Sequence, residues 1–441
     1  MHGPALRPAL LLDVSRLVWR ARRRAPTGID RVELAYARRY IMEQRTRSGH
    51  GAVHLLGLVF ALRTETAQRF IADIERRWSG ESTLTRWQSL KSVARIYSHL
   101  VTGGWLAGPW LRRALAASQG APIFLVVSHH HLARGFTLRR IRRNLGARMV
   151  CLIHDLLPLE YPEYFAPGWK ERYRRLSDNI ARLFDGVISV SETTADSLRT
   201  YLRAEPRHTL PAVTIRTAAL GAHAFPQTRS APPGADERPY FVVLGTIEPR
   251  KNHLLLLNLW ARLGTLLPQP PKLIVIGSRG WENEQVVDML ERSSRLKGLV
   301  EEYQALSDAQ VGAWLRGARA LLLPSFAEGF GLPLAEALTS GVPVICSDIP
   351  VFRELGGQVP EYFDVHDLRA WTQAVLDYSR PDSARRAAQL KRLARWRVPS
   401  WASHFGVVER LLGEIGERSF PATMPAGMPV LQQPLELGQV E

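Results

Sequence analysis

Short apolar runs recur along the chain, separated by stretches with helical spacing. In the first half they fall at Ala9–Val14, Ala52–Leu58, Ile123–Val127, Met149–Ile153 and Gly186–Val190 and read as buried strands. Helical periodicity fills Ile29–Glu43, Pro167–Phe184 and Thr193–Leu202 between them. Residues 64–120 interrupt this order with a mostly helical insertion. The stretch from Gly221 to Arg238 is rich in Pro, Ala and Gly and has no period, which marks a linker. A second series follows, with strands at Tyr240–Leu244, Lys272–Ile276, Leu299–Tyr303, Ala320–Leu323 and Val342–Ser347. Helices at Asn252–Leu267, Asn283–Arg295, Asp308–Gly317 and Pro333–Thr339 alternate with them. Alternating strands and helices predict α/β architecture, here two Rossmann-like doubly wound domains facing across a cleft. Such sheets bind ligands at their strand C-terminal ends. The expected divisions are residues 1–222, a linker over 223–238, a second domain over 239–400 and a helix over 401–418. Residues 419–441, rich in Pro, Gln and Gly, read as a disordered tail.

Size and composition agree with two cores. The 441 residues suffice for two domains of about 200 residues each, and 46% are hydrophobic. No apolar run reaches the roughly 18–20 residues that span a bilayer. The start, MHGPALRPALLLDVSR, lacks a long apolar h-region and reads as a first strand rather than a signal peptide. Cys151 and Cys346 are far apart and form no metal spacing, as expected of a cytoplasmic chain. The formal net charge is +17, and the excess lies in residues 1–230, with 36 Lys+Arg against 17 Asp+Glu. A basic half suits an anionic membrane surface, nucleic acid or a phosphorylated substrate; an arginine-favouring genome gives the same composition.

The chemistry concentrates in PSFAEGFGLPLAE, Pro324 to Glu336. An apolar strand runs into Gly329-Phe330-Gly331, and a helix starts at Pro333. Free backbone N–H groups and a helix dipole then converge on one spot, which suits a phosphate. Glu328 and Glu336 flank that turn and can accept hydrogen bonds from sugar hydroxyls. In YFVVLGTIEPRKN, Tyr240 to Asn252, a strand ends at Gly245, and Arg250 and Lys251 lie beside the next helix start. A fork and a point charge together suit a diphosphate, although a solvated loop pair has the same sequence.

These segments, with GVPVICSDIPVFRELGG after them, resemble the family 4 (group 1) glycosyltransferases of the GT-B fold. Glu328 and Glu336 fit that family's E-x7-E signature. IHDLLPLEYPEYF (Ile153 to Phe165) and VSETTADSL (Val190 to Leu198) resemble its bacterial surface-polysaccharide branch, often with mannose donors. The resemblance implies a retaining, metal-independent transfer from a nucleotide-diphosphate sugar, with GDP-mannose the best guess and no cofactor or metal. It implies that Glu336 accepts from the ribose hydroxyls and that Glu328 contacts the donor sugar. The N–H groups of Gly329, Phe330, Gly331 and Leu332 would hold sugar hydroxyls and phosphate, while Arg250 and Lys251 neutralise the leaving diphosphate. His154 resembles the family's first-domain active-site histidine, and Ser400-Trp401 with the helix beyond resembles the terminal helix that returns to the first domain. A non-catalytic scaffold subunit and a sugar-nucleotide epimerase of the same fold are the alternatives.

The acceptor side is less sharply drawn. His154 and Asp155 follow a strand, where a simple strand–loop pair is the other reading. His129-His130-His131 ends another strand; adjacent histidines cannot all face one ion, so no metal site is expected, and His130 is placed near the acceptor. Thr27 reads as an N-cap, with Gly28, Asp30 and Arg31 either facing the acceptor or lying on the surface of a first turn. Arginines at 16, 20 and 22–24, those at 139, 140, 142 and 143, and the aromatic and basic segment Trp87 to Leu115 suit an anionic inner membrane face; a buried aromatic stripe with solvated arginines is the alternative. Nucleic acid is not expected, since no recognition motif accompanies the charge. The expected acceptor is lipid-linked or a growing oligosaccharide, reached from the cytoplasmic face.

Overall fold

The computed structural model describes residues 7–418, except 24–25, 45–46, 56–57, 79–92, 95, 97–110, 112–114, 116–119, 205–212 and 227–237. Most of the aromatic–basic segment, most of the linker and the whole tail expected from sequence lie outside these residues. The chain forms two sheets. The first has seven strands in the order β3-β2-β1-β4-β5-β6-β7, and the second has six in the order β10-β9-β8-β11-β12-β13. These are the two doubly wound, Rossmann-like domains of a GT-B fold.

In the first sheet, β1 (Leu10–Asp13) lies between β2 (Gly49–Leu55) and β4 (Ile123–Val126), parallel to both. β5 (Arg148–Ile153), β6 (Gly186–Ser189) and β7 (Thr214–Thr217) continue it in parallel. The second sheet is built around β8 (Tyr240–Leu244), β9 (Lys272–Ile276), β11 (Leu321–Leu323) and β12 (Val344–Ser347), with β10 (Val300–Tyr303) and β13 (Glu361–Phe363) at its edges. Most central strands, such as β4, β8, β9 and β11, are continuous apolar runs because helices cover both faces. Alternate side chains therefore enter different cores: Leu10 and Leu12 pack on one face of the first sheet and Leu11 on the other. Tyr240 and Val242 separate from Phe241 and Val243 in the same way.

Several elements differ from the sequence reading. The expected strand Ala52–Leu58 is a hairpin, since β3 (Leu58–Ala61) folds back antiparallel on β2. The expected helix Ile29–Glu43 is α-helical over Gly28–Ala37 and then widens to a π-type turn over Arg38–Glu43. The edge strands β7 and β13, TIRT and EYF, are too short and too polar to stand out as apolar runs.

The helix Trp401–Gly416 is capped by Ser400, whose Oγ accepts from Ser403 N–H at 3.1 Å. It returns to the first domain, where Phe405, Val408, Leu411, Leu412 and Ile415 join the core around β1 and β4. Gly186 permits this approach: a Cβ there would stand 2.2 Å from Ile415 Cδ1. Tyr36 Oη and His404 Nε2 are 2.7 Å apart in the buried seam. Among the described residues, no helix is long and apolar enough to cross a membrane.

Phe405 stacks on Trp401 and meets the edges of Tyr36 and Tyr40. Truncating such a buried ring costs about 3–5 kcal/mol. Phe405→Ala should lower the unfolding midpoint by several degrees in a thermal melt. The same change at Phe136, which is 71% exposed, should leave it within experimental error. Equal shifts in the two variants would contradict this assignment of the core.

Candidate active site

The site begins at the C-terminal end of β8. The strand stops at Gly245, whose φ of 141° lies where glycine is favoured. A 3-10 turn, Pro249–Lys251, then leads to Asn252 and the helix His253–Leu266. The turn aims Arg250 and Lys251 at Glu328, which follows β11. Arg250 Nη1 donates to Glu328 Oε2 at 2.7 Å and to the Ala327 carbonyl at 3.0 Å. Its Nη2 lies 2.5 Å from Glu248 Oε1. Lys251 Nζ donates to Glu328 Oε1, which also accepts from Ser325 Oγ at 2.9 Å.

Burial alone would raise the Glu328 carboxyl, but the Arg250 and Lys251 charges reverse that and hold it at about 2. Burial raises the Glu248 carboxyl, opposed by the same two cations. Both oxygens of Glu328 are engaged by the cations and Ser325, so the carboxylate holds buried Lys251 and half-buried Arg250 in place.

Gly329, Phe330 and Gly331 bring the glycine turn hard against the first domain. A Cβ on Gly329 would lie 2.1 Å from the His154 carbonyl oxygen, so no larger residue fits. Ser191 Oγ and Thr194 Oγ1 donate to the Gly329 carbonyl at 2.7 and 3.2 Å. Phe330 is buried in the first-domain core. Gly331, at φ 89°, caps the helix Leu332–Thr339. Across the cleft, Gly28 opens the helix Gly28–Ala37, and a Cβ there would meet Leu332 Cδ1 at 2.6 Å. Two helix N-termini thus meet from opposite domains, and both present their positive ends at the same seam.

Glu336 lies in the helix Leu332–Thr339 and is 6% exposed. Among the described residues, no side-chain hydrogen bond reaches its carboxylate. Burial raises it to about 7, opposed by the Arg31 and His223 charges and assisted by Asp308. Arg31 is not a free cation: it crosses to the second domain and pairs with both oxygens of Asp308, at 2.8 and 2.5 Å. His223 Nε2 is 2.9 Å from the same carboxylate.

Asp30 is also not where an acceptor would reach it. It is fully buried and accepts from Thr27 N–H and Thr27 Oγ1, both at 2.8 Å. Arg16 and Arg20 close on its two oxygens at 3.1 and 3.0 Å. The carboxylate completes a capping box, and the residue is structural.

His154 Nε2 lies 2.9 Å from the Val127 carbonyl and so carries the proton, which leaves Nδ1 as an acceptor. Burial lowers its pKa to about 4, so the ring is neutral. Asp155 is half-buried beside Arg250 and is raised to about 6, by burial first and then by Glu248 and Glu328, against the pull of Arg250. The three consecutive histidines diverge. His129 Nδ1 meets Tyr173 Oη at 2.9 Å, His130 stacks on the exposed Trp19, and His131 turns toward Asp13.

Several residues that build the site carried no assigned role in the sequence: Glu248, Ser325, Ser191, Thr194 and Asp308. Ser191, Thr194 and Asp308 act through partners distant in sequence, whereas Glu248 and Ser325 pair with their near neighbours Arg250 and Glu328. Glu354 is a further case, accepting from the backbone N–H groups of Glu192 and Thr193 at 2.6 and 3.1 Å across the domain seam. Both sides of this contact lie in motifs visible in the sequence, VSETTADSL and GVPVICSDIPVFRELGG, but neither motif shows that they meet.

Comparison with known proteins agrees with the geometry. Residues 225–358 match the model of glycosyl transferases group 1, and residues 57–211 match that of glycosyltransferase family 4. The two models together cover well over half of the chain, with parts of both domains, and the chain belongs to the group 1, family 4 glycosyltransferases. It is similar to the serotype-specific mannosyltransferase WbdA of Escherichia coli, 32% identical over 50% of this chain and 28% of that protein. It is also similar to the O-antigen chain mannosyltransferase B of Escherichia coli, 35% identical over 37% of this chain and 42% of the relative. The chain thus spans less than half the length of these curated relatives. Among solved structures, Anabaena HepE in complex with UDP and glucose superposes with a TM-score of 0.59 at 14% identity, covering 92% of this chain and 99% of that one. Sucrose-phosphate synthase from Thermosynechococcus elongatus gives 0.58 at 14% identity, with the same coverage of both chains. These two likenesses concern the fold.

The raised carboxyl of Glu336 gives a pH prediction. Its folded value lies above its ordinary 4.5, so its contribution to stability is fully present below about 4.5 and is lost as pH rises through about 7. Glu336→Gln should remove this component, so the melting temperature of the variant should fall less than that of the wild type across that interval. Parallel pH profiles would show that Glu336 is not held in this state.

Proposed function

We propose that this protein is a retaining, metal-independent glycosyltransferase that moves a sugar from a nucleotide-diphosphate donor, GDP-mannose first among candidates. The acceptor is a lipid-linked or growing cell-surface polysaccharide, met at the inner face of the cytoplasmic membrane. The observation that carries the donor reading is the pair Arg250 and Lys251, held by Glu328 beside the glycine turn. The names of the mannosyltransferase relatives support the choice of sugar and glycan class.

In this reading the diphosphate enters between the two cations and the helix that begins at Leu332. The backbone N–H groups of the turn and the helix dipole add to the positive field without moving during the reaction. Glu336, with no side-chain partner of its own, accepts from the ribose hydroxyls. Its ionised form is the better acceptor, and hydroxyl donors together with Arg31 lower its pKa on binding.

As the glycosidic phosphate bond breaks, negative charge grows on the leaving oxygen. Arg250 and Lys251 meet that charge, and Glu328 keeps their positions fixed between substrates. The acceptor hydroxyl attacks from the same face, and its proton passes to the departing phosphate oxygen. His154, neutral and fixed through Nε2, offers Nδ1 as an acceptor to a hydroxyl at the cleft. The basic first half, with exposed Trp19 and Phe136, supports docking on anionic lipid.

Arg250→Ala combined with Lys251→Ala should reduce turnover of GDP-mannose by about a thousandfold or more, on the scale of losing oriented charge at a developing anion. Circular dichroism and a melting curve show whether the fold persists. A folded variant with near-normal turnover would reject the diphosphate assignment. Activity should also persist in EDTA; loss of turnover restored by Mg²⁺ or Mn²⁺ would contradict charge neutralisation by side chains alone.

A further inference from the structure

Three buried side chains meet where β1 ends. Asp13 closes that strand, His54 lies near the end of β2, and His131 follows β4. Because β2 and β4 are the two neighbours of β1, the sheet order itself gathers residues separated by up to 118 positions. Asp13 Oδ2 lies 3.0 Å from His131 Nδ1 and 3.5 Å from His54 Nε2. The three side chains are only 1–4% exposed. One ligating atom from each falls within 4.8 Å of the others.

The surroundings hold this geometry. Asp13 Oδ1 accepts from Ser15 N–H at 3.0 Å and from Ser15 Oγ at 2.5 Å. Ser15 Oγ in turn accepts from the backbone N–H of His54 at 2.8 Å. One serine therefore fixes the carboxylate and the strand position of the histidine, and leaves Oδ2 directed at both imidazoles. Outer partners of this kind commonly orient metal ligands.

The His54 ring is the unexplained part. Neither of its nitrogens has a hydrogen-bond partner, though both are buried. A buried polar atom left without a partner costs about 1–3 kcal/mol, and one ring carries two. The ring lies flat on His131, with centroids 4.1 Å apart and planes within 4°, which leaves both nitrogens unpaired.

We propose that Asp13, His54 and His131 bind one divalent transition-metal ion of the zinc class. Two imidazoles and a carboxylate suit such an ion, whose bonds of about 2.0–2.2 Å place tetrahedral ligand atoms about 3.3 Å apart. The cluster reaches that spacing by a small contraction and a rotation of His54, which has no hydrogen bond to break. The ion ties three strand ends of the first domain together and satisfies the His54 ring. The ligands all belong to the first sheet, whereas the diphosphate cradle belongs to the second, so this ion does not take the place of Arg250 and Lys251.

The test uses the full chain, desalted after expression with added zinc and analysed by elemental mass spectrometry. About one zinc per chain is expected, and Co²⁺ titration should give the visible absorption of a low-coordinate nitrogen–oxygen site. His54→Gln should bind Zn²⁺ at least about tenfold more weakly, while His366→Gln at an exposed position should bind as wild type does. If His54→Gln does not fold, Asp13→Asn serves the same comparison. A wild-type chain without stoichiometric zinc, or a folded ligand variant that binds as tightly as wild type, would overturn the proposal.

Discussion

The structure turns on a carboxylate that holds two cations in a place poor in water. Glu328 keeps Arg250 and Lys251 folded inward where an exposed pair would point to solvent. Inside a protein, an unpaired charge is far more costly than at the surface, so each member of this group stabilises the others. The network also ties two β-strand ends together, since Phe326 N–H donates to the Arg250 carbonyl at 2.8 Å. A positive site of this kind is assembled before any substrate arrives, and little reorganisation is left for the moment when charge develops.

The same seam depends on small residues. Gly329 against the His154 carbonyl lets two backbones approach to a distance that a methyl group would forbid, and Gly28 leaves room for the Leu332 side chain. Aromatic side chains fill the space beside them. Tyr164 stacks on Phe326 at 5.1 Å, and Trp281 stacks on Trp169 at 5.7 Å while donating to the Tyr164 carbonyl. The segment between Tyr161 and Trp169 is thus a first-domain surface shaped to the second domain. Its sequence shows aromatic residues and prolines without showing what they face.

Much of this was legible in the sequence because it is local. Apolar runs marked most strands, and the glycine turn and the Arg-Lys pair were visible as contiguous motifs. Residues whose meaning comes from distant partners were not. Asp30 and Arg31 are neighbours in sequence and looked alike as helix-start residues, yet one closes a capping box and the other reaches Asp308. Glu328 carries the signature of a ligand-facing carboxylate, and only the packed structure reveals how fully its oxygens are engaged. The three histidines of the run point to different partners. The partners of His131 lie instead on β1 and β2, a grouping that depends on sheet order and leaves no spacing pattern to read.

The returning helix Trp401–Gly416 has a consequence for how the molecule can be divided. Its apolar face lies within the core around β1 and β4, and Arg47 and Arg7 both pair with its Glu409. The first domain is therefore written in two separate stretches of the chain, with the second domain inserted between them. Cutting at the linker would not release two modules: the leading piece would lose a wall of its core, and the trailing piece would carry an unpaired apolar helix. The two halves of the cleft are bound into one heritable unit, so a donor half cannot be exchanged by a single crossover without also replacing part of the first-domain core.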